Sequence, residues 1–108
     1  MGKQLTFEYD GKTYTLEFNR KVVAAMERQG FNLNDIGSKP VLTIPKLFSG
    51  AFMMHHSSIK QSKIDEIYSK ISNKQELLTQ LAEMYNEPVA SLLTEEEGQE
   101  GNLDWKVD

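Results

Sequence analysis

Four groups of side chains in this chain of 108 residues are of types that could do chemistry. They are His55-His56 with Ser57-Ser58 behind them, the lysines Lys60, Lys63, Lys70 and Lys74, the pair Met53-Met54, and the single tryptophan Trp105. Helical zinc sites place two histidines one turn apart, whereas adjacent helical residues point about 100° from each other. No Asp or Glu stands beside this pair in the sequence to complete a ligand set, so one His is expected to border the core and the other to face solvent. Ser57 or Ser58 next to a histidine carries no catalytic information either, because nucleophile and base are brought together by the fold and not by adjacency. The chain has no cysteine, which removes thiolate chemistry, disulfides and Cys-containing zinc sites. No glycine-rich phosphate loop is present. The expectation is a non-enzyme with no catalytic residue, no metal and no cofactor.

The four lysines flank a short helix that follows another helix, the outline of a helix-turn-helix. Asp65 and Glu66 lie among them and no arginine does, so an ordinary solvated helix face is the preferred reading. The methionines read mainly as core, although Met53-Met54 could form an adaptable binding surface. Trp105 lies in Leu103-Asp104-Trp105-Lys106-Val107, within an acidic segment that gives an aromatic ring nothing to pack on. Two readings stand side by side. Trp105 either anchors a short linear motif in a partner's groove or folds back onto the domain.

The elements that must position these groups are legible from periodicity. Leu5 to Phe18 alternates apolar and polar residues about Asp10-Gly11, a two-residue hairpin turn whose central positions need positive φ. In that register Tyr9 faces Lys12, Phe7 faces Tyr14, Leu5 faces Leu16 and Lys3 faces Phe18. The large apolar side chains then share one face, while Gln4, Thr6, Glu8, Thr13, Thr15 and Glu17 share the other. Asn19 caps a helix over Arg20 to Gln29 with Val22, Val23 and Met26 inward, and Gly30 ends it with Phe31 folding back. A loop or single turn with Leu33 and Ile36 tucked in leads to Pro40.

The longest apolar run, Thr43 to Met54, is expected to be the central helix. Thr43 is its N-cap and Ile44-Pro45 its first turn. Leu47, Phe48, Ala51, Phe52 and Met54 or His55 make its apolar stripe, and Gly50 marks the close approach of another backbone. Ser62 with Asp65 predicts a third helix with Ile64, Ile67, Tyr68 and Ile71 buried. Asn73 with Glu76 predicts a fourth, carrying Leu77, Leu78, Leu81, Met84 and Tyr85. Pro88 should kink or split that last helix, leaving Val89, Leu92 and Leu93 on a separate turn.

This length is about one domain. The reading is a single α+β domain over residues 1–93, a hairpin followed by about four helices, with residues 94–108 as a disordered acidic tail. The net charge of −4 is uneven: residues 95–108 carry −5, which leaves +1 for the rest. A near-neutral body with an acidic tail is a poor electrostatic match for nucleic acid and suits a protein partner. The N-terminus lacks a signal-peptide core, and the central run is too short to span a bilayer, so a cytoplasmic location is expected.

The run Phe7-Glu8-Tyr9-Asp10-Gly11-Lys12-Thr13-Tyr14-Thr15-Leu16, the helix end Met26-Glu27-Arg28-Gln29-Gly30-Phe31, the segment Leu47-Phe48-Ser49-Gly50-Ala51-Phe52 and the leucine-rich last helix follow one another in a familiar order. Over roughly residues 5 to 93 this order resembles the small tail assembly chaperones of long-tailed phages and prophages. The resemblance implies a non-enzymatic protein of the bacterial cytoplasm that binds the tape measure protein, keeps it soluble and helps recruit tail tube subunits. It supplies no catalytic residues and leaves self-association open. On this reading Leu47, Phe52 and Met53, with Trp105 in the tail, are the residues expected to offer apolar surface to a partner. The alternative is a small DNA-binding regulator of a mobile element built on the helix-turn-helix outline.

Overall fold

The computed structural model describes residues 3–92 and residue 107. The chain runs as strand β1 (Leu5–Tyr9), strand β2 (Lys12–Leu16), helix α1 (Arg20–Arg28), a 3-10 turn (Leu33–Ile36), and helices α2 (Pro40–Phe52), α3 (Gln61–Lys70) and α4 (Lys74–Ser91). It is an α+β arrangement of one antiparallel hairpin and four helices. The acidic tail and its expected disorder, with Leu93, lie outside the described residues apart from Val107. Among the described residues no helix is long and apolar enough to cross a membrane.

The hairpin has the expected register, with Leu5 opposite Leu16, Phe7 opposite Tyr14 and Tyr9 opposite Lys12. Asp10 at φ 53° and Gly11 at φ 75° supply the two left-handed residues of the turn. Tyr14 and Leu16 are buried, and Leu5, Phe7 and Tyr9 pack partly against the same core. Asn19 caps α1 by accepting the Val22 N–H at 2.8 Å. At the other end the Phe31 N–H reaches the Met26 carbonyl and the Gly30 N–H the Glu27 carbonyl, with Gly30 at φ 89°. That pair of bonds is a Schellman closure, and it turns Phe31 into the core.

Helix α2 is the hub, packing on β2, α1, the 3-10 turn, α3 and α4. Leu47, Phe48, Ala51 and Phe52 are buried, and the Phe48 and Phe52 rings meet edge to face with centroids 5.1 Å apart. Its start differs from the expected cap. The helix begins at Pro40, so Thr43 lies one turn inside, with its N–H on the Lys39 carbonyl at 3.0 Å. Proline is pre-organised for the first helical position, and Pro40 takes that place ahead of Pro45. Pro45 is consequently interior and leaves the Val41 carbonyl without its i+4 donor, on a residue that is 83 % exposed and open to water. The apolar stripe also stops sooner than expected, since α2 ends at Phe52 and Met53 to His55 lie beyond it.

The starts of α3 and α4 also differ in detail from the expected caps. Helix α3 starts at Gln61 because the Lys60 carbonyl accepts from both Lys63 and Ile64; Ser62 is interior and does not cap. Asn73 does precede α4, but in the left-handed region at φ 53°, and its side chain makes no capping bond. Pro88 neither splits α4 nor frees a separate last turn. Its ring is buried, and the turn around it is held by Ser91 Oγ donating to the Pro88 carbonyl and by Arg20 donating to Ser91. Packing of α4 on α1 and α2 overrides the local preference.

Candidate partner-binding groove

The histidine pair has a structural task. As the edge of a two-stranded sheet, β2 presents outward N–H groups on alternate residues, and such an edge is exposed to unwanted pairing unless covered. The Thr15 N–H donates to His56 Nε2 at 3.0 Å, and the Glu17 N–H donates to the Ala51 carbonyl at 3.0 Å. His56 also lies against the Tyr14 ring at 5.1 Å between centroids. To accept at Nε2 the ring must be neutral with its proton on Nδ1. Its pKa is held below the ordinary histidine value, first by burial and then by the charges of Lys12 and His55.

His55 takes the other side of the same edge, with Nε2 2.8 Å from Glu17 Oε1. A carboxylate only accepts, so His55 donates. Gln4 Nε2 donates to the same oxygen at 2.8 Å. Burial pushes the Glu17 carboxyl up, but the bonds from His55 and Gln4 outweigh that and leave its pKa lowered. Glu17 therefore leaves the polar outer face expected for it and becomes a buried, doubly bonded carboxylate. Among the described residues no group of three or more His, Asp or Glu side chains is placed to hold a metal.

The basic grouping is partly absorbed into the fold. Lys63 Nζ lies 3.6 Å from Glu66 and 3.9 Å from Asp10, and over the Tyr9 ring. Tyr9 in turn hydrogen-bonds Glu66, which pushes the phenol up to about 12. Lys74 donates to the Ile71 carbonyl and lies over the Tyr68 ring.

What the structure adds is a groove of about 800 Å³ between α1 and α2. Its walls are helical stripes of i, i+3/i+4, i+7 spacing: Val22, Ala25, Met26 and Gln29 from α1 to its C-cap, and Lys46, Ser49, Gly50 and Met53 from α2 to just past its end. Gly50 sets the depth. A Cβ there would lie 2.5 Å from Met26 Sδ and 2.7 Å from its Cε, so the close approach comes from the Met26 thioether and not from a backbone. Gln61 Nε2 donates to Ser49 Oγ at 3.0 Å and to Asp65 at 2.9 Å, bracing the α2 wall against α3. Among the described residues lining the groove, the charged ones are Lys21 and Lys46, and none is acidic.

Of the residues expected to face a partner, the structure brings only Met53 to this surface. Met53 is 36 % exposed and lines the groove beside Met54, whereas Leu47 and Phe52 have no exposed area and belong to the core. They sit on the face of α2 that meets β2, α3 and α4, which is why a stripe read as surplus apolar surface is consumed by packing. Trp105 lies outside the described residues. Lys21, Lys46 and Gln29 were not singled out in the sequence. The signal that finds them is the matching helical spacing of Val22-Met26-Gln29 and Lys46-Gly50-Met53. A smaller apolar patch, Val41 and Leu42, comes from the earlier start of α2 and is 83 % and 62 % exposed.

Architecture and groove together define a small α+β domain with an open interhelical cleft and no assembled catalytic cluster among its described residues. The chain belongs to the family described as Domain of unknown function (DUF5055), whose profile matches residues 1–108. Comparison with curated proteins and with solved structures gives no match.

Proposed function

We propose that this protein is a non-catalytic tail assembly chaperone of a long-tailed phage or prophage, acting in the bacterial cytoplasm. It binds the tape measure protein and assists recruitment of the tail tube protein. The observation that carries this reading is the groove between α1 and α2, floored by Val22, Ala25 and Met26 and edged by Met53 and Met54. A long helical partner presents amphipathic helices whose apolar stripes need cover until assembly, and a cleft between two helices matches that shape. Unbranched thioethers on its floor and lip can repack around successive, non-identical stripes. The resemblance in order of parts over residues 5 to 93 supports the same reading.

The helix-turn-helix alternative has less behind it. Lys63 and Lys74 are occupied by tyrosine rings, carboxylates and a backbone carbonyl, which leaves Lys60 and Lys70 as a thin basic surface for a duplex. The test is co-expression with the long tape measure protein that this reading places beside the chain's own gene. Co-purification of the two and a rise in the soluble yield of the long protein are expected. Unchanged solubility overturns the proposal, and retention of duplex DNA at about 0.15 M salt by the purified protein favours the regulator.

A further inference from the structure

The groove has a charge that the molecule as a whole does not. The chain carries −4, yet Lys21 and Lys46 are the charged groups that the described residues contribute to the groove, and neither forms an ion pair among those residues. An apolar floor with unpaired cations at its edge selects an occupant that joins apolar side chains to carboxylates.

Such a segment exists in this chain. Residues 95–108 carry six acids against one lysine, and within them Leu103 and Trp105 flank Asp104. We propose that this groove takes the chain's own Leu103-Asp104-Trp105 segment, with the Trp105 ring on the floor by Met26 and Gly50 and the tail carboxylates by Lys21 and Lys46. The starting point of the tail favours the intramolecular form. Arg20 Nη2 donates to Ser91 Oγ at 2.9 Å and to the Ser91 carbonyl at 3.0 Å, so α4 ends against the first residue of α1. The groove begins at Asn19 and Lys21, immediately beside that junction.

Reach is not limiting. The thirteen steps from Leu92 to Trp105 can span roughly 40 Å at about 3.3 Å each, against a length of about 13 Å for the nine-residue α1. Covalent attachment at this spacing supplies an effective concentration on the order of 1 mM, so even a weak site is filled. The inference holds whatever external protein the groove serves.

Trp105 is the only tryptophan, so tryptophan-selective emission of the full chain reports on the surroundings of this one ring. The folded wild type is expected to show blue-shifted emission relative to the urea-unfolded chain and several-fold lower acrylamide quenching. The double variant Lys21→Glu/Lys46→Glu, and separately Met53→Glu, should move both readouts toward the unfolded values while far-UV circular dichroism stays unchanged. Three results overturn the proposal. One is wild-type emission and quenching already equal to those of the unfolded chain; another is protection of Trp105 that both groove variants leave intact. The third is protection that disappears on dilution, which would assign the occupant to a second copy.

Discussion

His56 stands where a strand edge meets the end of a helix, and its protonation state decides whether one of the bonds between them can form. The neutral ring accepts the Thr15 N–H, and a protonated ring cannot. Because the folded-state pKa is below the ordinary value of about 6.5, the unfolded chain takes up the proton first. The stability that His56 contributes is complete above that ordinary value and is lost as pH falls through the lower folded value. Urea denaturation between pH 7.5 and pH 5 should show this decline. His56→Ala should lower stability by about 1 kcal/mol at pH 7.5 and flatten the slope in that window; an unchanged slope would show that the ring does not report on the edge. Glu17 acts in a separate and more acidic window. Its lowered pKa gives stability that is present above the ordinary carboxylate value and lost below it. None of this was readable in the sequence, because the partner of His56 is a backbone N–H 41 residues away and adjacency to Ser57 said nothing about it.

At the scale of elements, the parts that sequence reading recovered are those whose instructions are local. Asp10-Gly11 fixes the register of ten strand residues through its own backbone angles, and Asn19 and Gly30 bracket α1 within a single turn at each end. Asn19→Ala should accordingly cost about 1 kcal/mol by removing the bond to the Val22 N–H, measured as a shift in urea midpoint. Boundaries were misread where two local signals competed. Pro40 and Pro45 both suit a first turn, and nothing in the sequence near Thr43 says which is used. Pro88 has the opposite lesson, since a strong local breaker is overridden by burial between helices. Gly50 belongs to both kinds of argument. Gly50→Ala gains up to about 1 kcal/mol of helix propensity, and the atoms it displaces are the flexible end of Met26, which borders open groove. Stability should therefore change by less than about 1 kcal/mol while the groove narrows; a large loss of stability would show that Met26 has nowhere to go.

For the whole molecule, the distinction that matters is between the face of α2 that holds the fold together and the edge that is left over. Phe52 has no exposed area and meets Phe7, Tyr14 and Phe48, so Phe52→Ala should cost about 3–5 kcal/mol and threaten folding outright. Met53, one residue later, is 36 % exposed on the groove, and Met53→Glu should leave thermal unfolding nearly unchanged. Sequence reading groups Leu47, Phe52 and Met53 because all three are apolar residues of one run. Only the position of α2 among its five neighbouring elements separates core from surface. The measurement that bears most directly on the groove as a partner site is the soluble recovery of the co-expressed tape measure protein. It should be compared for wild type, Met53→Glu, and Val41→Glu as an exposed apolar control outside the groove. Wild type and Val41→Glu are predicted to hold the long protein in solution, and Met53→Glu to release it while remaining folded. Equal recovery with folded Met53→Glu and wild type would contradict the assignment of the groove.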